Sequence, residues 1–478
     1  MSIRTFVALV VLVSGAAGSA SASSCPVLTP SQVVCQQGVA KAGAKYSKTA
    51  LKTIEKCLQA IQSGKLSGDP ATVCLGTAPS DATTATKMTK AAQKVGEAVP
   101  KSCSDPDAAL FKDANLGSGA LCAPTAAGLA ACLVANMRGH AESAAQAAYG
   151  TVVASADKGV QKCQKILGKE SAKFVKSRLK AIQQCLNTRT AACGSASPIV
   201  RCLAPQAGGP PAETALLSAV AGAETKLRTK IAKACTDAQV AALDACGNDV
   251  ASVSDCLVCA HGNAADLMAA DQNRSVRAAT PASTAAAAAN AAETEDTILL
   301  EPGSYVEEVT LKDSGLTVRG VKDCVSGARA VFTPPNPASL FGIQHCGSLQ
   351  PGCTDVSDNV LLQGFEVNDF LENDIYNVGV DGITYRDMVT RGPGINGRAR
   401  YGVFPVGSHN VLVEDCLVTG ISTPVSTSAS PTASSSATTR CTAAWPASRS
   451  RTPPTPRSTA TTPTTTRAAS WSSSCRFT

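Results

Sequence analysis

Two hydrophobic patterns divide the chain into a helical part and a strand part. In the first part apolar residues recur every three or four positions, as in the run from Val39 to Ile61. This period places them on one face of an α-helix, which we expect Gly64 and Pro70 to end. The runs Met88 to Val99 and Leu216 to Ala234 predict further helices by the same rule.

Between residues 357 and 420 apolar residues alternate with polar ones instead. Three similar segments read DNVLLQGFEV, VDGITYRDMVT and SHNVLVEDCLV. Repeated short strands are typical of a parallel β-solenoid, in which equivalent inward residues of successive coils stack in columns. The predicted columns are Val360, Ile383 and Val411; Leu362, Tyr385 and Val413; and Phe365, Met388 and Cys416.

The cysteines of the first part indicate an internal duplication. Three of them recur 128 residues later with unchanged spacings of 22 and 17 residues. They are Cys35, Cys57 and Cys74, then Cys163, Cys185 and Cys202. Side chains between them agree under the same shift, as Tyr46 does with Phe174. We therefore predict two copies of one helical unit, residues 23–145 and 146–270.

Helix geometry limits the disulfides of each copy. Cys35 and Cys57 on one helix lie about 33 Å apart, too far to bond. An antiparallel hairpin brings Cys57 to Cys74 at its turn and Cys35 to Cys103 at its open end. The predicted pairs are Cys57–Cys74, Cys35–Cys103, Cys122–Cys132, Cys185–Cys202, Cys163–Cys235 and Cys246–Cys256. Cys193 could pair with Cys259, and Cys25 is left over.

Two features of the helical part invite a functional interpretation. Cys256 and Cys259 have the C-x-x-C spacing of a metal or redox site, but the duplicated framework favours a structural role, so we expect no metal or cofactor. A row of lysines from Lys41 to Lys52 recurs from Lys165 to Lys180. It could bind an acidic polymer such as a uronate polysaccharide; a solvated helix face is the favoured interpretation.

The N-terminus and the composition point to export. Arg4, the apolar run Phe6–Val13 and the A-x-A site at residues 20–22 predict a signal peptide over residues 1–22. No later segment predicts a membrane span. We expect a secreted, periplasmic or cell-surface protein of a bacterium, in which the 21 cysteines form disulfides. A net charge of +7 on 478 residues is too dilute to predict nucleic-acid binding.

A family resemblance begins after an alanine-rich stretch. DTILLEPGSY followed by VTLKDSGLTVRG resembles the first coil of the right-handed parallel β-helix proteins of the pectin-lyase-like superfamily. The later run ENDIYNVGVDGITYRDMVT, with YGVFPVGSHNVLVEDCLVTG, resembles a bacterial subgroup with parallel β-helix repeats, so that the likeness covers roughly residues 290–422. It implies a right-handed parallel β-helix over residues 294–422, with residues 271–293 as a linker or cap helix.

Two segments interrupt or end this pattern. Prolines and cysteines in residues 321–356 predict a long loop, closed by Cys346–Cys353 or Cys324–Cys346. Residues 423–478 contain no Asp, Glu, Gly, Asn, Lys, Leu or Ile, which is typical of a disordered Ser/Thr/Pro-rich stalk. A frameshift is the favoured interpretation, because TPVSTSAS read one base earlier can encode Asp-Ala-Gly-Ile-Tyr-Val-Gly-Gln, which is β-helix-like. The predicted fold class is therefore α+β multidomain, a duplicated disulfide-stapled helical domain followed by a truncated right-handed parallel β-helix.

The resemblance implies polysaccharide as a partner and two classes of function. One is a polysaccharide lyase, hydrolase or epimerase, which needs paired carboxylates or a base beside a uronate carboxyl. The candidate substrate-binding residues are Asp374, Tyr376, Arg386, Arg391, Arg398, Tyr401 and His409. Adjacent coils show no matched acidic pair, and turn capping is the favoured role of Asp374 and His409. We therefore favour an exported, non-catalytic binding protein for polysaccharide or a cell-surface polymer, with the enzyme as the alternative and the oligomeric state open.

Overall fold

The structure is a computed structural model that describes most of the chain. The described residues are 27–111, 123–150, 152, 155, 157–192, 199–243, 245–281, 284–347, 357–392, 401–419, 423–425 and 439–440. The predicted signal peptide and most of residues 423–478 lie outside these ranges. So do five residues named above: Cys25, Cys122, Cys193, Cys353 and Arg398.

The first described part is helical. Its helices are α1 (Pro30–Gln62), α2 (Pro70–Cys74), α3 (Ala82–Ser102), α4 (Asp105–Ala109), α5 (Ala126–Tyr149), α6 (Lys158–Ala192), α7 (Pro211–Ala234), α8 (Asp237–Ala241) and α9 (Val250–Asp271). Helix α1 begins at a capping box between Thr29 and Gln32. Its predicted apolar face, including Val39, Tyr46 and Ile54, is buried. The helix ends just before Gly64, which has φ of +70°.

The disulfides tie these helices into two similar hairpins. Cys35–Cys103 joins α1 to α3, and Cys163–Cys235 joins α6 to α7. The turns are closed by Cys57–Cys74 and Cys185–Cys202. A further disulfide joins Cys246, which precedes α9, to Cys256 within α9. These five pairs are those that the hairpin geometry predicts. Cys132 is also in a disulfide, but its predicted partner is outside the described residues.

The second described part consists of short strands and one short helix, α10 (Ala285–Ala291). The strands are β1 (Val276–Ala279), β2 (Thr297–Leu300), β3 (Gly303–Val306), β4 (Val309–Leu311), β5 (Thr317–Gly320), β6 (Ala330–Thr333), β7 (Phe341–His345), β8 (Val360–Gln363), β9 (Glu366–Asn368), β10 (Asn373–Val378), β11 (Asp381–Arg386), β12 (Val389–Arg391), β13 (Tyr401–Val406), β14 (His409–Glu414), β15 (Leu417–Thr419), β16 (Thr423–Val425) and β17 (Thr439–Arg440).

These strands form three parallel sheets. The first sheet has the order β1-β2-β5-β8-β11-β14-β17, the second β16-β13-β10-β7-β4, and the third β15-β12-β9-β6-β3. From β2 onward the chain adds one strand to each of the three sheets in turn, and we call each such passage a circuit. Strands of successive circuits therefore pair with one another. The predicted columns have the predicted register, since Ile383 pairs with Val360 and Val411, and Tyr385 with Leu362 and Val413. The chain as a whole is therefore a mixed α+β protein.

The structure changes several expectations about the strand part. Residues 271–293, the expected linker or cap helix, contain the seven-residue helix α10 and also strand β1, which was not expected. Residues 321–356 are not one long loop, because β6 and β7 lie within them. Cys324 bonds Cys259, which excludes both Cys193–Cys259 and Cys324–Cys346. Cys346 is in a disulfide, but Cys353 lies outside the described residues. Residues 423–425 and 439–440 are strands, which the expectation of a disordered tail did not include.

The helices pack directly on the outer side of the first sheet. Buried Val276 and Leu299 of that sheet belong to the same apolar core as the helices. Asp266 of α9 accepts hydrogen bonds from Arg178 of α6 and Arg319 of β5, at 2.8 and 2.7 Å. Burial would raise the pKa of Asp266, but the two guanidinium groups outweigh it and hold this pKa below its usual range.

Candidate functional site

The sequence-predicted candidates are spread over all three sheets. Asp374, Tyr376 and Tyr401 belong to the second sheet, in β10 and β13. Arg386 and His409 belong to the first sheet and Arg391 to the third. Within the described chain only the second-sheet residues therefore come together, and the site has to be built around them.

Four aromatic rings follow one another across the outer side of the second sheet. Phe341 stacks on Tyr376 with ring centroids 4.6 Å apart. Tyr376 lies 6.1 Å from Phe404, which stacks on Tyr401 at 4.1 Å. All four side chains are half-buried, so each ring is partly accessible to solvent. We call Phe341, Tyr376, Phe404 and Tyr401 the aromatic row.

Parallel pairing explains why the two central rings meet. Tyr376 of β10 pairs with Phe404 of β13, its neighbour in the sheet. Their neighbours Ile375 and Val403 also pair, and both are fully buried in the interior. Because side chains alternate between the two faces of a strand, burying this pair directs Tyr376 and Phe404 outward. Adjacent strands lie about 4.8 Å apart, so the row spans about 10 Å from β7 to β13.

The surroundings of Tyr376 keep its hydroxyl protonated. Partial burial raises the pKa of Tyr376, and the nearby carboxylate of Glu372 adds to this increase. The phenol is therefore a neutral hydrogen-bond donor and acceptor at ordinary pH. An aromatic ring with such a polar tip suits a ligand that is apolar on its faces and hydroxylated at its rim.

Asp374 lies in the same strand as Tyr376 but is sealed in the interior. It is 0% exposed, and one carboxylate oxygen accepts the backbone N–H of Phe370 at 3.3 Å. Burial raises the pKa of Asp374 well above its ordinary value. Its other oxygen, Oδ2, has no hydrogen-bond partner among the described residues. The bond to Phe370 is a turn-capping contact, the role that the sequence favours for this residue.

The basic candidates are either paired or remote from the aromatic row. Arg386 pairs with Glu414 one circuit later, and Arg391 pairs with Glu366 one circuit earlier. His409 is exposed at the start of β14, on another sheet. These residues therefore add no converging charge to the row.

A buried polar chain lies on the inner side of the second sheet. The side chain of Asn377 contacts His345 Nδ1 and accepts a hydrogen bond from the hydroxyl of Tyr385. Burial lowers the pKa of His345 to about 3, so its imidazole is neutral at ordinary pH. This chain is enclosed in the interior and supports the sheet from behind.

The sequence reasoning missed Phe341 and Phe404. The signal for Phe404 was present, because it follows Tyr376 by the same 28 residues that separate Ile383 from Val411. Phe341 could not be found in this way, since it lies in the segment that the prolines made look like a loop.

The described residues show neither a metal-binding cluster nor a membrane-spanning helix. They contain no group of three His, Cys, Asp or Glu side chains placed to hold a metal ion. None of the described helices is both long and apolar enough to cross a membrane.

Comparison of the chain with protein families, with curated proteins and with solved structures finds no match.

Proposed function

We propose that this chain is an exported, non-catalytic protein that binds polysaccharide through the aromatic row. The observation that carries the proposal is the continuous stacking of four half-buried rings across three neighbouring strands. A pyranose ring has an apolar face of C–H groups and a rim of hydroxyls. It can therefore lie flat against an aromatic ring while its hydroxyls bond to polar groups beside it.

The rigidity of the row supports binding without a large entropic cost. Each ring projects from a hydrogen-bonded parallel strand, and neighbouring rings restrict one another. Binding to such a surface orders few side chains, which preserves affinity. The length of the row suits a short stretch of an extended glycan chain.

The chemistry around the row favours a binder over the alternative enzyme. The buried carboxyl of Asp374 does not reach a ligand on the outer face, and Arg386 and Arg391 are neutralised by carboxylates. General acid–base catalysis needs a group within hydrogen-bond reach of the reacting atom. The carboxylate near Tyr376 is that of Glu372, a single group, whereas glycoside hydrolysis uses a pair of carboxyl groups.

The wider architecture is part of the proposal. Three parallel sheets visited in turn are compatible with a right-handed parallel β-helix, shortened at its C-terminal end, and we assign that fold to residues 294–422. The two matching disulfide hairpins support two copies of one helical unit. Multiple disulfides suit an oxidising compartment outside the cytoplasm.

Binding to a panel of neutral polysaccharides tests the function. We expect the purified chain to be retarded by at least one glycan in affinity electrophoresis. The double variant Tyr376→Ala and Phe404→Ala should weaken this binding by about tenfold or more, because two stacking surfaces are lost.

Matched controls separate binding from folding. Val325→Ala removes an apolar side chain that is 76% exposed elsewhere, and it should leave affinity unchanged. Thermal unfolding should show that both variants remain folded. Retention of full affinity by the folded double variant would exclude the row as the binding surface, and absence of binding to every glycan would remove the proposed function.

A further inference from the structure

The long helices α1 and α6 each carry a row of exposed lysines. The five lysines of α1, from Lys41 to Lys56, are all exposed, as are the six of α6 from Lys162 to Lys180. The two acidic residues of these helices, Glu55 and Glu170, are both buried. The outward surface of both helices is therefore positive without interruption.

Tertiary packing places both rows on one side of the molecule. Gly43 of α1 lies against Gln272, the residue that caps α9, and Arg178 of α6 bonds Asp266 inside α9. Helix α9 thus lies beneath both helices. Lys41 and Lys45 are two residues from Gly43, and Lys176 and Lys180 are two residues from Arg178. Two residues are about 200° of helix rotation, so both rows face away from α9.

The two helices run antiparallel and side by side. The amide of Ser155, just before α6, bonds the carbonyl of Gln62 at the end of α1. At the other end Gln183 of α6 donates to the carbonyl of Ala40 in α1. Packed helices have axes about 8–10 Å apart, so the lysine rows form a single surface. We call it the lysine face.

Almost all of these charges lack an ion-pair partner. Among the described residues, Lys173 is the single lysine that forms a salt bridge, with Glu170. Along each row the lysines are three or four residues apart, a rise of about 4.5–6 Å. This spacing is comparable to the length of one sugar unit in an extended glycan.

We propose that the lysine face binds an anionic, carboxylate-bearing polysaccharide. It is a second surface, on different residues from the aromatic row, and does not rest on that row. Lysine is a flexible point charge that suits anionic groups spaced along a polymer, whereas arginine would provide a rigid planar fork for one carboxylate or phosphate. The outward lysine rows also contain no aromatic side chain for stacking bases and no large apolar side chain for entering a bilayer.

Polygalacturonate, titrated at several salt concentrations, is the probe that tests this proposal. Lys48 and Lys176 occupy equivalent positions near the centre of the face. The variant Lys48→Gln with Lys176→Gln should weaken binding by about tenfold at low salt and should make the salt dependence shallower. The fully methyl-esterified polymer, which has the same backbone without its charges, should lose the salt-dependent part of this binding.

The control variant Lys312→Gln with Lys322→Gln removes the same charge from exposed sites outside the helices. It should lower the affinity less than twofold. Equal weakening by both variants would overturn the proposal, since net charge alone would then explain binding. Tighter binding to duplex DNA or to anionic lipid vesicles than to polygalacturonate would also overturn it. Val325→Ala, outside both surfaces, should leave polygalacturonate binding unchanged. The salt-dependent binding of polygalacturonate reports on the lysine face and the binding of neutral glycans on the aromatic row, so the two proposals fail separately.

Discussion

The helical part and the strand part of this protein are stabilised in different ways. In the described helices five disulfides join residues between 10 and 72 positions apart. In the described strands the interior is held by parallel register, and Cys416 is a free thiol. One disulfide, Cys259–Cys324, crosses between the two parts. Cys346, just after β7, is also in a disulfide. The helices are thus crosslinked mainly by disulfides, whereas most strands depend on their neighbours in the sheet.

The largest expected effect comes from removing a long-range disulfide. Replacing Cys163 and Cys235 by Ser frees a loop of 72 residues and should lower the free energy of unfolding by about 4 kcal/mol, because the unfolded chain gains entropy. Guanidinium unfolding followed by helical circular dichroism measures this. Cys416→Ser, which removes a free thiol, is the control and should change stability by less than about 1 kcal/mol. Similar losses in the two variants would contradict the covalent account of the helical part.

The contact between the two parts should give the next largest effect. Asp266→Asn leaves Arg178 and Arg319 without their shared carboxylate and should cost about 3 kcal/mol. Asp255→Asn is the matched control, since its ion pair with Arg228 is on the surface and worth less than about 1 kcal/mol. Chemical denaturation of both variants gives the comparison. A loss for Asp266→Asn no greater than the control would mean that this contact does not couple the parts.

Within the strand part, position along the stack should decide the cost of a cavity. Val360 and Val411 belong to one column, but Val360 is 1% exposed and Val411 is 9% exposed near the last strands. We expect Val360→Ala to cost about 2–3 kcal/mol and Val411→Ala about 1 kcal/mol. Equal costs, measured by urea unfolding, would show that the end of the stack is as well packed as its middle.

The effects of pH depend on the group that titrates, and Glu55 and His345 give them opposite signs. Burial raises the pKa of Glu55 in α1 to about 8, so the folded protein binds this proton more tightly than the unfolded chain. The contribution of Glu55 to the free energy of unfolding is greatest below about pH 4.5 and is lost as the pH rises toward 8. The loss between pH 6.5 and 8 should be on the order of 2 kcal/mol. Glu55→Gln should abolish it, and the exposed Glu97→Gln should not.

His345, a buried imidazole of the strand part, has the opposite dependence. Its pKa of about 3 in the folded protein lies below the unfolded value, so stability is full above about pH 6.5 and falls as the pH falls toward 3. His261 of α9, whose pKa burial lowers to about 4, adds to this acid sensitivity. His345→Gln should therefore flatten the acid limb of a pH–stability curve without changing the limb above pH 6.5. An unchanged acid limb would contradict the neutral, buried imidazole.

Local patterns were sufficient for much of the fold. The apolar period of α1 and the spacing of Cys57 and Cys74 are short-range features, and both predicted what the structure contains. The sequence also predicted the column of Val360, Ile383 and Val411, because the register of the strands follows from the repeat. Strands β6 and β7 were missed because their flanking prolines resemble a loop, although parallel pairing with later strands stabilises them.

Less of the candidate site than of the fold could be predicted from the sequence. Tyr376 and Tyr401 were named from the sequence. Phe341, which stacks on Tyr376, was not, because the spacing of the later repeats does not extend to its segment. Arg386 and Arg391 looked available as ligands, and only the structure pairs them with Glu414 and Glu366. Whether an arginine has an ion-pair partner depends on the residues that the neighbouring circuits place beside it.

The sequence by itself determined the helical and strand parts, five hairpin disulfides and the register of three strands, because these depend on period and on short loops. Tertiary structure alone decided three other features. It stacked Phe341 on Tyr376, bonded Cys259 to Cys324, and turned the lysines of α1 and α6 to one side. Each of these requires two distant segments to meet, and the meeting is set by the packing of α9 and of successive strands rather than by any local pattern.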